Sequence, residues 1–199
     1  MKITCISVLK HNGESAEPSL LGVASDVSNF GYFQRPSVRE MLNFVSRTVV
    51  RRTGNGQRQS VEHEEYYVHT TNKGGLAAIA FVDREYPARS AFCVLNKVIS
   101  DYEAKFGDSW KTVTADIENG NDLCEAALTE YQDPANADKL LKVQRELDET
   151  KVILHKTIDS VLARGEKLDT LVEKSTDLSM ASQVFYKQAR KQNQCCVIM

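Results

Sequence analysis

The sequence has no apolar run long enough to cross a bilayer and no large excess of charge of either sign. Its longest apolar run extends from Leu76 to Val82, far below the roughly 20 residues of a membrane-spanning helix. Lys10 interrupts the first apolar segment too early for a signal peptide. A net charge of -2 gives no reason to expect nucleic acid as a partner, so we expect a cytosolic protein.

Cysteine is sparse in most of the chain, which argues against a disulfide framework or a cysteine-rich metal site. Cys5, Cys93 and Cys124 are scattered through apolar segments and are predicted to be reduced packing residues. Cys195 and Cys196 differ because they stand side by side in the final NQCCVIM, where nothing follows to pack them. These two cysteines therefore require an explanation outside a core.

Motifs for catalysis are also absent. The stretch TGNGQRQ lacks the Gly-Lys-Ser/Thr ending that holds phosphate and magnesium, so nucleotide chemistry is not predicted. The stretch HEEYYVH is not a zinc-protease motif, and we expect its histidines, His63 and His69, at surface or edge positions of a strand. No Gly-x-Ser-x-Gly nucleophile elbow occurs. We therefore expect a protein that is not an enzyme and that binds no cofactor or metal.

The first half of the chain alternates strand-like and helical segments, which predicts an α/β or α+β domain. The segments ITCISVL, EYYVHT and LAAIAFV are typical of strands. The segments SVREMLNFVSRTVVRR and ARSAFCVLNKVISDYEAKF have the periodicity of helices. Gly107 follows the second of these at the position of a C-cap.

The second half contains the most regular pattern. It has one glycine, Gly165, and Asp133-Pro134 is a typical helix start, so a long helix is predicted from there. Counted both ways from Arg164, apolar or small residues recur at alternating spacings of three and four, which predicts a coiled-coil seam of roughly 80 Å. The seam consists of Leu140, Val143, Leu147, Thr150, Leu154, Thr157, Val161, Leu168, Leu171, Ser175, Leu178, Ser182, Phe185 and Ala189, with Gln192 last.

This seam is poorly suited to self-association. Arg164 occupies its central inward position, and identical copies would bury several unpaired guanidinium groups in one layer. A buried guanidinium has five donors and no acceptor, so it requires side-chain carbonyls or carboxylates from neighbouring helices. Glutamines from three other helices would satisfy it without adding negative charge. The helix is therefore predicted to pair with different partners.

These features resemble the R-SNARE proteins, whose central arginine meets three glutamine-bearing helices in a parallel four-helix bundle. The stretches LDETKVILHKTIDSVLARGEKLDTLVEKS and FYKQARKQNQCCVIM, with FGYFQR, RTGNGQRQS, EYPARSAF and YQDPANAD upstream, are similar to prenylated longin R-SNAREs of the Ykt type over nearly the whole chain. The resemblance implies an α+β fold, with a profilin-like longin domain, an antiparallel five-stranded sheet flanked by helices, and then a long SNARE helix. The implied boundaries are 1–131 for the longin domain, 132–137 for a linker, 138–192 for the coiled coil and 193–199 for a lipidation tail.

The final residues fit a prenylation signal. Cys196 is followed by two aliphatic residues and a methionine, which favours a farnesyl group. A single lipid chain binds membranes reversibly, so a stable anchor needs a second signal. The resemblance implies a second lipid on Cys195, either palmitoyl or prenyl.

The resemblance also implies a closed, inactive form. One apolar stripe of the first predicted helix is expected to face inward, and Phe44 lies off this stripe and faces outward or into a groove. The stripe consists of Val38, Met41, Leu42, Val45 and Val49. In the family, an aromatic residue at the place of Phe44 helps the longin domain hold the SNARE segment and the lipid. Phosphate on Ser175 or Ser182 would bring charge into the seam, which makes both serines candidate phosphorylation sites.

The implied function is that of a lipid-anchored R-SNARE that drives vesicle docking and membrane fusion, including transport between endoplasmic reticulum and Golgi. The implied partners are three Q-SNARE helices, the membrane surface, a prenyltransferase and the SNARE-disassembly machinery. The implied location is a cytoplasmic pool and the cytosolic face of Golgi, vesicle, endosomal or vacuolar membranes. Two alternatives stay open: a lipidated coiled-coil adaptor, and a first domain that promotes acylation of Cys195 by acyl-CoA.

Overall fold

The computed structural model describes residues 2–63, 65–133, 135–137, 139 and 151–195, with side chains up to residue 191. The strands are β1 (Ile3–Lys10), β2 (Ser19–Ser25), β3 (Arg58–His63), β4 (Tyr66–Lys73), β5 (Leu76–Asp83) and β6 (Val152–His155). The helices are α1 (Arg35–Arg51), α2 (Ala88–Phe106), α3 (Asn121–Glu130), α4 (Leu168–Lys174) and α5 (Met180–Cys195), with 3-10 turns at Ser109–Thr112 and Ile158–Ser160. We call the part from β1 to α3 the first domain and residues 151–195 the C-terminal segment.

The predicted α+β class is confirmed, but the sheet has six strands where five were predicted. Its spatial order is β2-β1-β5-β4-β3-β6, and β1 to β5 are antiparallel as predicted. The additional strand, β6, pairs parallel to β3, with Arg58 opposite Val152 and Val61 opposite His155. Without β6, β3 would present unpaired N–H and C=O groups at the sheet edge. The C-terminal segment satisfies these groups with its own backbone.

Helices cover both faces of the sheet. On one face, α2 and α3 form an apolar cluster with β1 and β5, centred on residues such as Ile6 and Leu95. On the other face, Val45 and Val49 of α1 share a second cluster with Leu9 and Ile79. Because helices cover both sides, β1 and β5 are buried along almost their whole length and carry apolar residues in succession.

The predicted inward stripe of α1 is found, although it is only partly covered. Val38, Val45 and Val49 are buried beneath the helix, while Met41 and Leu42 are half-buried. The half-buried pair lines a groove between α1 and α5, which keeps part of each side chain in contact with solvent.

Two predicted helix ends have the expected polar contacts. Gly107 ends α2 with a φ of 54°, and its N–H donates to the Glu103 carbonyl oxygen at 2.8 Å. A glycine tolerates this left-handed conformation because it has no Cβ. Asp133 Oδ1 accepts a hydrogen bond from the Ala135 N–H at 2.9 Å, as a helix N-cap does, whereas Pro134 lies outside the described residues.

The three scattered cysteines are buried free thiols, as predicted. Burial raises the pKa of the Cys5 thiol to about 12, and it raises the pKa of Cys124 to about 12 as well. Both groups therefore stay protonated and unreactive at physiological pH, which is the behaviour of packing residues.

The predicted surface or edge position of His69 is wrong. His69 lies in β4 with its ring buried, and its Nδ1 is 3.0 Å from Ser60 Oγ. The ring stacks on Tyr67 and packs against Phe92 of α2. Burial lowers its pKa to about 4, so the imidazole is neutral in the folded protein. A hydroxyl partner and aromatic neighbours thus make an interior position acceptable for this histidine.

The C-terminal segment is not one continuous helix in the isolated chain, in contrast to the prediction. It forms β6, a 3-10 turn, a turn at Gly165 with a φ of 89°, and the separate helices α4 and α5. A coiled-coil seam needs partner helices to cover it, and Arg164 disfavours copies of the same chain. In the absence of partners, the segment instead pairs its backbone with β3 and buries apolar side chains against α1.

Candidate functional site

The C-terminal segment wraps around α1, and this contact is the candidate functional site. Its apolar residues join the same buried cluster as Val45 and Val49 of α1. Burying one aliphatic side chain stabilises a fold by about 1.5–3 kcal/mol, so several of them can hold the segment in place. The buried residues of the segment in this cluster are Ile158, Val161, Leu162, Leu168, Val172 and Leu178.

Glu40 of α1 caps the first turn of α5. Its Oε2 accepts a hydrogen bond from the Ser179 N–H at 2.9 Å, and Ser179 Oγ lies 3.0 Å from the Oγ of the fully buried Ser182. Burial acts to raise the pKa of Glu40, but hydrogen bonds from Ser182 and Ser179 outweigh burial and lower it below its usual value. A carboxylate at a helix N-terminus satisfies free N–H groups and complements the helix dipole. Glu40 therefore fixes where α5 begins on α1.

The C-terminal end of α1 holds the turn that contains Arg164. Arg52 Nη2 forms an ion pair with Glu166 Oε2 at 3.0 Å, and the same oxygen accepts a hydrogen bond from the Ala163 N–H at 3.1 Å. Gly165 supplies the left-handed backbone that this turn requires. The turn is thus ordered, while the side chain of Arg164 points into solvent and is exposed.

Phe44 is half-buried and faces the C-terminal segment. It lines an open cavity of about 220 Å³ together with Leu171 and Ser175 of the segment. Its ring belongs to the rim of the cluster that α1 shares with the segment. The prediction places Phe44 off the inward stripe, facing outward or into a groove, and the structure has the second of these orientations.

The same cavity brings two carboxylates of different parts of the chain together. Glu17 of the first domain and Asp177 of the C-terminal segment both line it, beside Arg47, Arg51 and Lys174. Burial and the neighbouring Asp177 raise the pKa of Glu17, although Arg47 and Arg51 oppose this shift. Packing of the C-terminal segment on α1, which we call the closed arrangement, therefore makes the Glu17 carboxyl a weaker acid than it is ordinarily.

An apolar groove lies between α1 and α5 near the other end of the contact. The groove is open to solvent and has a cavity volume of about 150 Å³. Its walls are formed by both parts of the chain, so it exists only while α5 stays on α1. The lining includes Phe30, Val38, Met41, Phe81, Phe185, Tyr186 and Ala189.

The predicted seam residues fall into three groups. Buried in the closed arrangement are Val161, Leu168, Leu178 and Ser182; half-buried are Leu171, Ser175, Phe185 and Ala189; exposed are Leu154, Thr157 and Arg164. In the isolated chain, Arg164 thus does not point inward, and Leu154 and Thr157 are not helical, because β6 and turns replace the predicted helix. Their bundle positions stay predictions.

Several predicted residues lie outside the described part of the chain. These are Leu140, Val143, Leu147, Thr150 and Cys196. Cys195 and Gln192 belong to α5, but their side chains are not among those described. The lipidation sites therefore stay predictions.

Sequence reasoning missed the polar contacts of the site. Glu40 and Arg52 are ordinary charged residues in or next to an amphipathic helix. Their spacing does not indicate that each binds a residue more than a hundred positions away. The contact of Tyr186 with Asp169, at 2.8 Å between the hydroxyl and Oδ1, joins α4 to α5 and was missed for the same reason. Such contacts depend on how the segment folds back, which local periodicity does not encode.

Two family models and several relatives match the chain. The longin model, described as a regulated-SNARE-like domain, matches residues 27–120, and the synaptobrevin model matches residues 139–198. VAMP-like protein YKT61 of Arabidopsis thaliana is 61% identical over 199 residues, covering 100% of both chains. Synaptobrevin homolog YKT6 of Saccharomyces cerevisiae is 45% identical over 206 residues, again covering 100% of both. The chain belongs to the Ykt6 family of longin R-SNAREs.

Membership of this family makes the chain a longin R-SNARE of vesicle trafficking. The two family models also correspond to the two parts of the chain. The first domain matches the longin model, and the C-terminal segment, which packs on α1, matches the synaptobrevin model. Within the described residues, no helix is long and apolar enough to span a membrane. Nor does that part of the chain hold a cluster of His, Cys, Asp or Glu suited to a metal ion.

Proposed function

We propose that the chain is a lipid-anchored R-SNARE that alternates between a closed and an assembled state. In the assembled state, residues 138–192 form a parallel four-helix bundle with three Q-SNARE helices, with Arg164 at its centre, and bring two membranes together. In the closed state, the longin domain, residues 1–131, holds the same segment. Residues 132–137 serve as the linker and residues 193–199 as the lipidation tail.

One observation carries this proposal: the two states compete for the same side chains. Leu168, Leu178 and Ser182 are seam residues that partner helices would have to contact, and in the isolated chain they are buried against the first domain. A side chain cannot be buried in both places at once. Assembly therefore requires the segment to leave α1, and closure inhibits assembly.

The lipid anchor extends the same argument. A prenyl group on Cys196 and a second lipid on Cys195 would expose apolar chains to water whenever the protein leaves a membrane. The apolar groove between α1 and α5 is a suitable place to shelter part of one of them, since apolar side chains line it and it lies along the helix that leads to both cysteines. Opening would then release the seam and the lipid together. A prenyltransferase and the SNARE-disassembly machinery are the implied accessory partners.

Phosphorylation of Ser175 and Ser182 would regulate this cycle in different ways. Ser182 is fully buried beneath α5, so a kinase reaches it only in the open form, and the phosphate would then oppose reclosure as well as assembly. Ser175 is half-buried at the end of α4 and its Oγ accepts a hydrogen bond from the Leu178 N–H at 3.3 Å. Aspartate at both positions should impair bundle formation, and unchanged assembly would contradict this role.

The decisive experiment measures assembly of the full chain with three Q-SNARE helices. Circular dichroism and thermal melting should reveal a large gain in helicity and one cooperative transition only in the four-component mixture. Arg164→Ala is the matched control and should lower the melting temperature without abolishing the closed form, because Arg164 is exposed there. Equally tight binding to a single helix would favour the adaptor alternative.

A further inference from the structure

Two large aromatic side chains of the first domain project from the loop before α1. Tyr32 is 76% exposed and Phe33 is 93% exposed, and their rings meet edge to face with centroids 5.5 Å apart. We call these two residues the aromatic tip. Phenylalanine is one of the residue types most often buried, so an almost fully exposed ring beside a second exposed ring calls for an explanation.

The aromatic tip is held in place by Arg35. The guanidinium carbon lies 5.9 Å from the centre of the Tyr32 ring, a cation–π distance. Its Nε donates to the Phe30 carbonyl oxygen at 3.1 Å, and its Nη2 donates to the Ser28 carbonyl oxygen at 3.0 Å. The loop is therefore ordered by its own hydrogen bonds, and it presents the two rings outward instead of folding them onto the sheet.

The position of the tip relates it to the membrane-proximal end of the molecule. Phe30, two residues before Tyr32, lines the apolar groove together with Phe185 and Ala189 of α5. The remaining described residues of α5 lead from there to Cys195. The tip is thus adjacent to the part of the chain that carries the proposed lipids.

Two arginines of α1 lie close to the tip in the sequence. Arg35 and the exposed Arg39 flank it on α1, while Asp26 is engaged by Lys2 at 2.7 Å. Among the described residues, no acidic side chain forms an ion pair with Arg39. Aromatic rings that end at the level of the headgroups, with arginines beside them, match the interface of an anionic bilayer.

A membrane fits this surface better than a protein does. The tip is a projection of two rings, whereas specific protein interfaces bury roughly 1,200 Å² or more of total surface. The aromatic tip is sufficient as a secondary contact for a protein that a lipid already holds at the bilayer. One lipid chain alone binds reversibly, so additional apolar and cationic contacts have a large effect on retention.

We propose that Tyr32 and Phe33 insert into the interfacial region of anionic membranes, so that the first domain itself docks on the bilayer. This inference rests on the proposed function only in that the lipids bring the tip to a membrane. It assigns a membrane-binding role to the longin domain that is separate from holding the SNARE segment.

The test tethers the full, unprenylated chain to vesicles by an N-terminal histidine tag and a nickel-chelating lipid. The tag replaces the prenyl anchor as the means by which the chain is held at the vesicle. The vesicles contain phosphatidylcholine, phosphatidylserine and brominated lipid, which quenches inserted indoles. In the Phe33→Trp variant, the introduced indole should be quenched and its emission should shift to the blue.

Two controls make the result specific. The unsubstituted chain reports only the buried Trp110, and Ala104→Trp introduces an exposed indole on α2, on the opposite face of the sheet. Neither should be quenched. If Phe33→Trp is no more quenched than Ala104→Trp while both chains remain bound to the vesicles, the proposal is wrong, and the tip is then free for a protein partner.

A second measurement uses the prenylated chain. Tyr32→Ser combined with Phe33→Ser should reduce partitioning onto anionic vesicles about tenfold, since two partly inserted rings are lost. Loss of prenylation would abolish binding of both the variant and the unsubstituted chain. A failure of the lipid anchor and a failure of the tip therefore give different results, and equal partitioning of the two prenylated chains contradicts the inference.

Discussion

Glu40 lies on a helix of the first domain, yet the groups that it binds belong to the start of α5. The Ser179 N–H and the Ser182 hydroxyl both depend on it, and no other described carboxylate accepts a hydrogen bond from these two groups. This contact is directional, whereas the apolar cluster beside it is not. Glu40 therefore determines the register of the closed arrangement as well as part of its stability.

Glu40→Ala should loosen α5 from α1. Loss of a capping carboxylate costs about 1 kcal/mol, which corresponds to a roughly fivefold rise in the open population. Hydrogen exchange of the amides in residues 179–191 should accelerate accordingly. Glu125→Ala, an exposed substitution on α3 at the other face of the sheet, should leave this exchange unchanged, and equal rates in both variants would contradict the role of Glu40.

His69 makes the stability of the first domain sensitive to acid. Burial lowers its folded-state pKa to about 4, while the unfolded value is 6.5, so between these values the unfolded chain binds the proton more tightly. Stability should consequently fall by about 3 kcal/mol as the pH decreases from 6.5 to 4. Urea unfolding across this range measures the effect. The free energy of unfolding of His69→Gln should depend less on pH. Identical pH dependence in the two proteins would contradict the role of His69.

At the scale of elements, α1 is the component that both parts of the chain use. One side of it packs on the sheet, and the remaining surface receives α5 and the loop after α4. Phe44 lies on the second surface, against Leu171 and beside the carboxylates of Glu17 and Asp177. A carboxylate at this point would replace the apolar contact with Leu171 by a partly desolvated charge, although Arg47 and Arg51 line the same cavity.

Phe44→Glu should therefore release α4 and α5 from α1. Limited proteolysis should cleave residues 151–191 faster, and assembly with Q-SNARE helices should accelerate, because the competing contact is weakened. Phe44→Leu keeps an apolar contact and serves as the control, with a smaller effect on both. Unchanged protease sensitivity and unchanged membrane association in Phe44→Glu would exclude the closure role.

The elements of the first domain were predictable because their local patterns agree with their surroundings. The stripe of α1 and the apolar runs of β1 and β5 are buried as their sequence indicates, and Gly107 ends α2 where expected. The C-terminal segment differs because its repeat predicts a long helix that pairs with partner helices, and the isolated chain does not form that helix. The seam around Arg164 predicts a four-helix bundle. In the isolated chain, the same part of the sequence forms β6, turns and the two helices α4 and α5. Of the candidate site, Phe44 was predictable from its place off the stripe, but Glu40 and Arg52 were not.

At the scale of the whole molecule, the proposed function joins inhibition and lipid handling in the closed arrangement. The apolar groove has walls from α1 and α5, so any event that removes α5 also removes the groove that is proposed to shelter a lipid. A protein built in this way should expose its anchor and its seam at the same time. Partition between cytosol and membrane and competence for assembly are then expected to change together.

Cys196→Ser should leave the protein wholly in the soluble fraction of cell extracts. The substitution removes the thiol that prenylation requires, and cationic residues near the end of α5 provide only weak attraction to lipids. Fractionation of cells that express the variant measures this outcome. Cys195→Ser is the informative comparison, since it retains the prenylation site and should bind membranes reversibly. Membrane recovery of Cys196→Ser at the level of the unsubstituted chain would refute the anchor.

The uneven burial of the seam has a further consequence for kinetics. Three seam residues are exposed to a partner: Leu154, which is 77% exposed, Thr157 and Arg164. Leu168 and most of the seam residues after it are still buried or half-buried against the first domain. These three exposed side chains, between which Val161 is buried, can therefore be contacted first by a partner, as a toehold is in strand displacement of nucleic acids. A partner that binds these side chains first can displace α1 step by step. Its binding rate then does not depend on spontaneous release of the whole C-terminal segment from α1. Assembly should then be first order in partner even when the fully open form is rare.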